Sequence, residues 1–256
     1  MAPCLGVLGG MGPLATADFL AKLIAATPAA NDQEHIPTLV CSLPQIPDRT
    51  AAIAGTGPSP LPAMTAAAHL LEEAGAKVIA IPCNTAHHWH AALAGTVGIP
   101  ILHIAEAVIE RLGCRGDARP LGLLASTGTL AGGVYRDPAR RAGIRLLTPG
   151  DDDQEALVMA AIRAVKSGDV GSAGCRLEQA ARRLLDRGAS AVIMACTEIP
   201  VGLADAPDDL AGRLVDATAI LADRCVAWWA ARPDAQPFAG WHNPLSRGPA
   251  APRATV

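Results

Sequence analysis

Aromatic side chains are scarce: Phe, Trp and Tyr together make up 3% of the 256 residues. The core must therefore be built from Ala, Leu, Ile and Val, which suits short strands packed closely by helices. Lysine is rare too, with Lys22, Lys77 and Lys166 against eighteen arginines. A net charge of −3 provides no basic stripe, so nucleic acid is not an expected partner. No stretch of about 18 uninterrupted apolar residues occurs, and no membrane span is expected. The start, Met1-Ala2-Pro3-Cys4-Leu5-Gly6, lacks a positive segment before an apolar one and does not read as a signal peptide. The expected compartment is the cytoplasm, where cysteines stay reduced. The seven here are Cys4, Cys41, Cys83, Cys114, Cys175, Cys196 and Cys225. They form no Cys-x-x-Cys pair and no Cys/His cluster with zinc spacing, so no metal site is expected.

Half of the chain is hydrophobic and 18% is charged, a globular composition with room for one large domain or two ordinary ones. Strands are expected at Cys4–Leu8, Pro37–Ser42, Val78–Ile81, Ile101–His103, Leu121–Ala125, Arg145–Thr148 and Ala191–Ala195. Helices are expected at Pro13–Ala26, Pro60–Ala74, Thr85–Ala94, Ile104–Leu112, Gly128–Ala142, Asp152–Lys166, Val170–Arg187 and Gly212–Ala231. This alternation predicts an α/β fold with mainly parallel sheets. The chain divides near Gly113–Arg119 into two similar units: an N-terminal domain over 1–112, completed by helix 212–231, and a C-terminal domain over 113–211. Residues 232–256, rich in Pro, Ala and Arg around Trp241, read as a flexible tail.

Two motifs carry the chemistry. Pro82-Cys83-Asn84-Thr85 and Ala195-Cys196-Thr197-Glu198 each end a β-branched apolar run, once in each half. Ligands of open α/β sheets bind beyond the carboxyl ends of strands, so two thiols there can face one small molecule from opposite sides. One can then remove a proton and the other return it on the opposite face. Both cysteines precede an expected helix, whose N-terminus favours thiolate over thiol. A thiolate attacking the α-hydrogen of an amino acid faces a mismatch of roughly ten pKa units, about 14 kcal/mol. A positioned acid or base supplies about 10²–10⁴-fold of this. The rest must come from N–H and hydroxyl donors aimed at the substrate as negative charge builds. Asn84, Thr85 and Thr197 are suited to that. No lysine sits in a pyridoxal-phosphate context, so no cofactor is expected.

Each residue also has a plainer reading. A cysteine at a strand end is commonly a small buried apolar group, although two in matching positions weaken that view. Gly9-Gly10-Met11-Gly12 fails the dinucleotide pattern and fits either an anion nest for a carboxylate or a structural tight turn. Arg49 in the proline-rigid loop Pro44–Thr50 reads as a surface arginine, and Lys166 as a complement to its helix dipole. His87, His88 and His90 read as helix-surface or pocket-rim residues.

The motifs taken together resemble the cofactor-independent aspartate racemases of the Asp/Glu racemase superfamily. The matching segments are Leu8–Thr16, Asp32–His35, Pro44–Thr50, Pro82–His87, Gly122–Thr129, Val165–Gly168 and Cys196–Glu198, in order over about residues 4 to 230. The resemblance implies two similar α/β domains with the active site in the cleft between them, in a homodimer. It also implies Cys83 and Cys196 as paired acid and base, and Arg49 and Lys166 on the side-chain carboxylate of aspartate. Met11, Asn84, Thr85, Thr127 and Thr197 would line the rest of the substrate site. Ala195 stands where the family often has glycine, and Ser126 where it often has threonine. The expected activity is interconversion of L- and D-aspartate without cofactor or metal. Racemisation of glutamate or another amino acid, a maleate-type isomerisation and a non-catalytic amino-acid-binding role remain the alternatives.

Overall fold

The computed structural model describes residues 3–113 and 119–232. The division expected near Gly113–Arg119 therefore falls mostly outside the described residues, as do Cys114, Trp241 and the remainder of the expected tail. The chain runs β1 (Cys4–Gly9), α1 (Pro13–Ala26), β2 (Thr38–Ser42), α2 (Arg49–Ile53), α3 (Leu61–Glu73) and β3 (Ala76–Ala80). A 3₁₀ turn, Thr85–Trp89, leads into α4 (His90–Ala94) and then α5 (Ile104–Gly113). The second half runs β4 (Leu121–Ala125), α6 (Thr127–Ala131), α7 (Arg136–Arg141) and β5 (Leu146–Leu147). A helical segment follows: α8 (Asp151–Asp153), a π-helical turn over Gln154–Met159, and α9 (Ala160–Lys166). The chain ends with α10 (Val170–Asp186), β6 (Val192–Ala195), α11 (Glu198–Gly202), α12 (Asp208–Ala211), β7 (Leu214–Asp216) and α13 (Ala217–Ala230).

The fold is α/β with two sheets, ordered β2-β1-β3 and β5-β4-β6-β7, and every strand pair is parallel. Parallel strands covered on both faces need continuous apolar runs, and β1, β4 and β6 are buried along their whole length. The two sheets repeat one plan. In the first, Ile101 bridges Ile79 of β3 and leads into α5; in the second, β7 pairs with β6 and leads into α13. The internal duplication thus extends through a fourth strand position.

The helix expected over Thr85–Ala94 opens as a 3₁₀ turn and is α-helical only over His90–Ala94, and three further expectations needed revision. The segment 101–103 contributes a single bridge rather than a strand. The helix expected over Gly128–Ala142 is broken into α6 and α7, because Gly133 takes φ +67°, a left-handed conformation that ends a helix. The helix expected from Gly212 begins at Ala217 instead. Residues 214–216 form β7, and Asp216 Oδ1 then accepts from the amides of Thr218 (2.8 Å) and Ala219 (3.2 Å) as a helix cap.

One apolar cluster joins the two halves: Leu5, Val7 and Phe19 pack with Leu121, Leu123, Ile193 and Leu221. Helix α13 lies against α1 and α5. Lys22 of α1 fixes that contact by donating to Thr218 Oγ1 (2.9 Å) and pairing with Asp216 (2.7 Å) and Asp18.

Candidate functional site

Cys83 and Cys196 follow the carboxyl ends of β3 and β6, and the loops after β1, β2 and β4 carry most of the other candidate residues. After β1, Gly10 sits at φ +89°, and a Cβ there would lie 2.3 Å from the amide nitrogen of Leu43. Only glycine lets the loops after β1 and β2 touch this closely. Thr16 Oγ1 ties the turn down, accepting from Gly10 N at 2.8 Å and donating to Gly12 O at 3.1 Å. Met11 is buried, and its carbonyl accepts from Arg49 Nη2 at 3.2 Å. Arg49 Nη1 donates to the carbonyls of Ile46 (3.2 Å) and Pro47 (3.1 Å). Three of the five guanidinium N–H groups are thus held by backbone, and Arg49 is no free surface arginine. Its Nε is buried without a partner.

Beyond β3, Cys83, Asn84 and Thr85 are all buried. Thr85 Oγ1 lies 3.0 Å from Ser126 Oγ and 2.8 Å from Thr129 Oγ1, which are 3.0 Å from each other. This closed triangle of hydroxyls joins the end of the first sheet to the loop after β4 in the second. A second link lies beside it, where a Cβ on Gly128 would stand 2.5 Å from Thr50 Oγ1. A third is His88 Nδ1, 3.1 Å from Gly132 O. The fourth is fully buried: Tyr135 Oη donates to Asn84 Oδ1 at 2.7 Å, and Asn84 Nδ2 is left without a partner.

In the second half, Cys196 Sγ donates to Glu198 Oε2 at 3.0 Å, and Thr197 Oγ1 donates to the same oxygen at 3.0 Å. Lys166 Nζ stands 3.9 Å from Glu198 Oε1 and is half exposed. The thiol of Cys196 is pushed well above its ordinary range by burial, and next by the charge and hydrogen bond of Glu198; Lys166 opposes this. A helix N-terminus was expected to favour the thiolate here. The five-residue α11 is outweighed by a carboxylate in direct contact, and Cys196 rests as a thiol. Burial first, then the charge of Asp216 and that of Cys196 whenever it ionises, push the Tyr135 phenol well above its usual range. Tyr135 therefore links the two halves through its bond to Asn84, the neighbour of Cys83.

Thr127 is exposed at the mouth of β4. Its Oγ1 lies 3.4 Å from Gln154 Nε2, which also donates to Ala125 O at 2.9 Å. Gln154 opens the π-helical turn, a feature frequent at functional sites, and its Oε1 is buried without a partner. His87 is buried too, contrary to the surface position expected of it. Its Nδ1–H donates to Cys83 O at 2.9 Å. Burial lowers its pKa to about 4, so the ring is neutral.

Among the described residues, four buried side-chain polar atoms lack a partner: His35 Nδ1, Arg49 Nε, Asn84 Nδ2 and Gln154 Oε1. Three of the four belong to this cluster. Buried polar groups are ordinarily paired, so these two donors and one acceptor are exceptions to that rule. Sequence reasoning missed Gln154 and Tyr135 and left Glu198 without a role. The one available signal was that Tyr135 is the chain's single tyrosine. Among the described residues no group of three His, Cys, Asp or Glu could hold a metal, and no helix is long and apolar enough to cross a membrane.

The family of Asp/Glu/hydantoin racemases matches residues 8–225. The chain belongs to that family. Membership makes it an isomerase of the amino-acid racemase class. A relative in Bacillus subtilis, the broad specificity amino-acid racemase RacX, is 26% identical over 233 residues, covering 89% of this chain and 98% of its own. The aspartate racemase of Picrophilus torridus superposes with a TM-score of 0.78 at 28% identity, over 89% of this racemase and 94% of that chain. Glutamate racemase RacE1 of Bacillus anthracis shares the fold, with a TM-score of 0.66 at 15% identity over 90% and 82% of the two chains.

Proposed function

We propose that this racemase interconverts L- and D-aspartate by two-base proton transfer, with Cys83 and Cys196 on opposite faces of the α-carbon and no cofactor. The observation that carries this reading is positional. Cys83 follows β3 and Cys196 follows β6, the matching strands of two sheets with one plan. A pair of thiols related in this way suits a reaction whose two directions are mirror images.

Charge and hydrogen bonding support the same assignment. In one direction a thiolate at Cys83 takes the α-hydrogen while the Cys196 thiol delivers a proton; in the other the roles exchange. Cys196 rests protonated, as an acid must. For Cys196 to serve as base, its proton has an acceptor ready in Glu198 Oε2, with Lys166 beside the carboxylate. In this reading Asn84 Nδ2, unpartnered in the structure, donates to the α-carboxylate as the carbanion forms. Arg49, whose Nε lacks a protein partner, then holds the side-chain carboxylate together with Lys166. Met11 contributes its carbonyl by holding Arg49, and Thr127 forms the rim. The hydroxyls of Thr85 and Thr197 are already engaged, which leaves their backbone amides and lone pairs for substrate.

A broader substrate range is the second reading, favoured by the likeness to RacX and by Lys166, which is half exposed and pairs with Glu198 at 3.9 Å. One methylene changes affinity by only about 1–3 kcal/mol in most pockets, so glutamate is the natural comparison. The homodimer and the cytoplasmic setting belong to the same proposal; light scattering should give twice the 26.1 kDa of one chain.

The test is α-hydrogen exchange in D2O. Aspartate should acquire deuterium, and Cys83→Ala and Cys196→Ala should each abolish racemisation. Full activity in either variant, or absence of exchange in the unmutated protein, refutes the two-base reading. A panel of amino acids resolved by chiral chromatography separates the narrow from the broad substrate range.

A further inference from the structure

We propose that Tyr135 is a positioning residue for the racemisation chemistry, holding the Asn84 amide so that its N–H pair faces the substrate carboxylate. This rests on the reading above and adds a residue to it.

A side-chain amide has one accepting and one donating end, and in a site awaiting a carboxylate only the donating end is useful. Nothing in the covalent structure of Asn84 prevents a half-turn that would present the oxygen instead. Tyr135 supplies the constraint. Its hydroxyl donates to Asn84 Oδ1 at 2.7 Å; if the amide turned over, the hydroxyl would have to accept from Nδ2 instead, and its own buried proton would lose this acceptor. Both residues are buried, so water cannot replace it. The amide nitrogen is then forced to the other side, where it has no partner among the described residues.

The chain builds this device across its two halves. Asn84 follows β3 in the first sheet. Tyr135 is placed by the break after α6, where Gly133 turns left-handed at φ +67° and α7 restarts at Arg136. The phenol is a dependable donor, because burial and the nearby Asp216 carboxylate keep it protonated. It has no proton to exchange with the α-carbon in this arrangement, since its hydroxyl is spent on Asn84. Its part is played through Asn84.

The test is a double-mutant cycle on α-hydrogen exchange and racemisation, with Tyr135→Phe, Asn84→Ala and the double variant. Phenylalanine preserves the ring and removes only the hydroxyl. Loss of one aligned donor to a developing oxyanion typically costs about 10²–10³-fold in kcat. Tyr135→Phe, which leaves the amide present but free to turn, should lower kcat about 10-fold or more, with a smaller change in KM. The double variant should be no slower than Asn84→Ala alone, because Tyr135 has no role once the amide is gone. Losses that multiply instead would show that Tyr135 acts elsewhere and overturn the proposal, as would an unchanged kcat in Tyr135→Phe.

Because Tyr135 is the only tyrosine, 3-fluorotyrosine labels this position alone and keeps the test alive if the phenylalanine variant does not fold. The fluorine resonance should move in Asn84→Ala and again when aspartate binds. An unmoved resonance in Asn84→Ala refutes the contact. Absence of exchange in the unmutated protein refutes the racemase reading and this proposal with it; multiplicative losses in an active protein refute this proposal alone.

Discussion

Replacing Gly128 by alanine adds one methyl group where the two halves touch. That carbon would lie 2.5 Å from Thr50 Oγ1, 2.9 Å from Thr50 Cα and 3.0 Å from Thr50 Cβ. Carbon atoms rest comfortably at about 3.5–4.0 Å, so α2 and α6 must part by roughly 0.5–1 Å. Rotating the threonine side chain relieves the first clash but not the second, which is with backbone. Overpacking of this kind costs about 1–3 kcal/mol. At about 2–4 °C per kcal/mol for a chain of this size, the melting temperature should fall by roughly 2–12 °C. Activity should fall further than stability, because Arg49 adjoins Thr50 and Thr127 adjoins Gly128, so the separation opens across the site. A 1 Å misplacement can cost about 10²-fold, and kcat/KM for aspartate should drop about 10- to 100-fold. Adding Thr50→Ala removes the clash with the hydroxyl and should restore part of the loss, since the clash with the backbone carbon of residue 50 stays. The assays are thermal denaturation by circular dichroism and racemisation by chiral chromatography. A Gly128→Ala protein with unchanged melting temperature and kinetics would refute the packing argument.

Three other outcomes follow from named interactions. Glu198→Gln removes a negative charge from beside Cys196, so the midpoint for alkylation of that thiol should shift to lower pH; mass spectrometry after pH-dependent iodoacetamide labelling reads it, and a midpoint that rises or stays would contradict the assigned cause. His87, buried and lowered from 6.5 to about 4, takes up a proton in the unfolded chain before the folded one. Stability should therefore decrease as pH falls from about 6.5 to about 4, by about 3 kcal/mol in total from this residue, and urea titrations of His87→Phe should show a shallower slope there than the parent. Lys22→Met strips Asp18, Asp216 and Thr218 of their shared donor and should cost about 1–3 kcal/mol, measured as a lower urea midpoint without loss of helical content.

The strand ends were legible because burial writes itself into composition. Val78–Ile81 and Ala191–Ala195 are apolar runs that only a covered parallel sheet can use, and the two Cys motifs mark where each run stops. Duplication was legible for the same reason. What stayed hidden depends on distance through space. Leu214–Asp216 is too short to announce a strand beside a long helix, and only pairing with Val192–Met194 makes it one. Cys196 beside a helix start suggests thiolate; the orientation of Glu198, two residues on, reverses that, and adjacency in sequence does not encode orientation. Gln154 looks like any polar residue in an acidic helix start until Ala125 O claims its nitrogen. Tyr135 fell inside what the pattern predicts as unbroken helix, and the left-handed Gly133 is what turns it toward Asn84.

The shared cluster running from Val7 through Leu123 to Leu221 has a mechanical meaning. A clamshell opening of the halves would expose that oil-filled joint to water at about 25 cal/mol for each Å² laid bare. Thr127 is exposed and Lys166 half exposed, so both can shift without disturbing that joint.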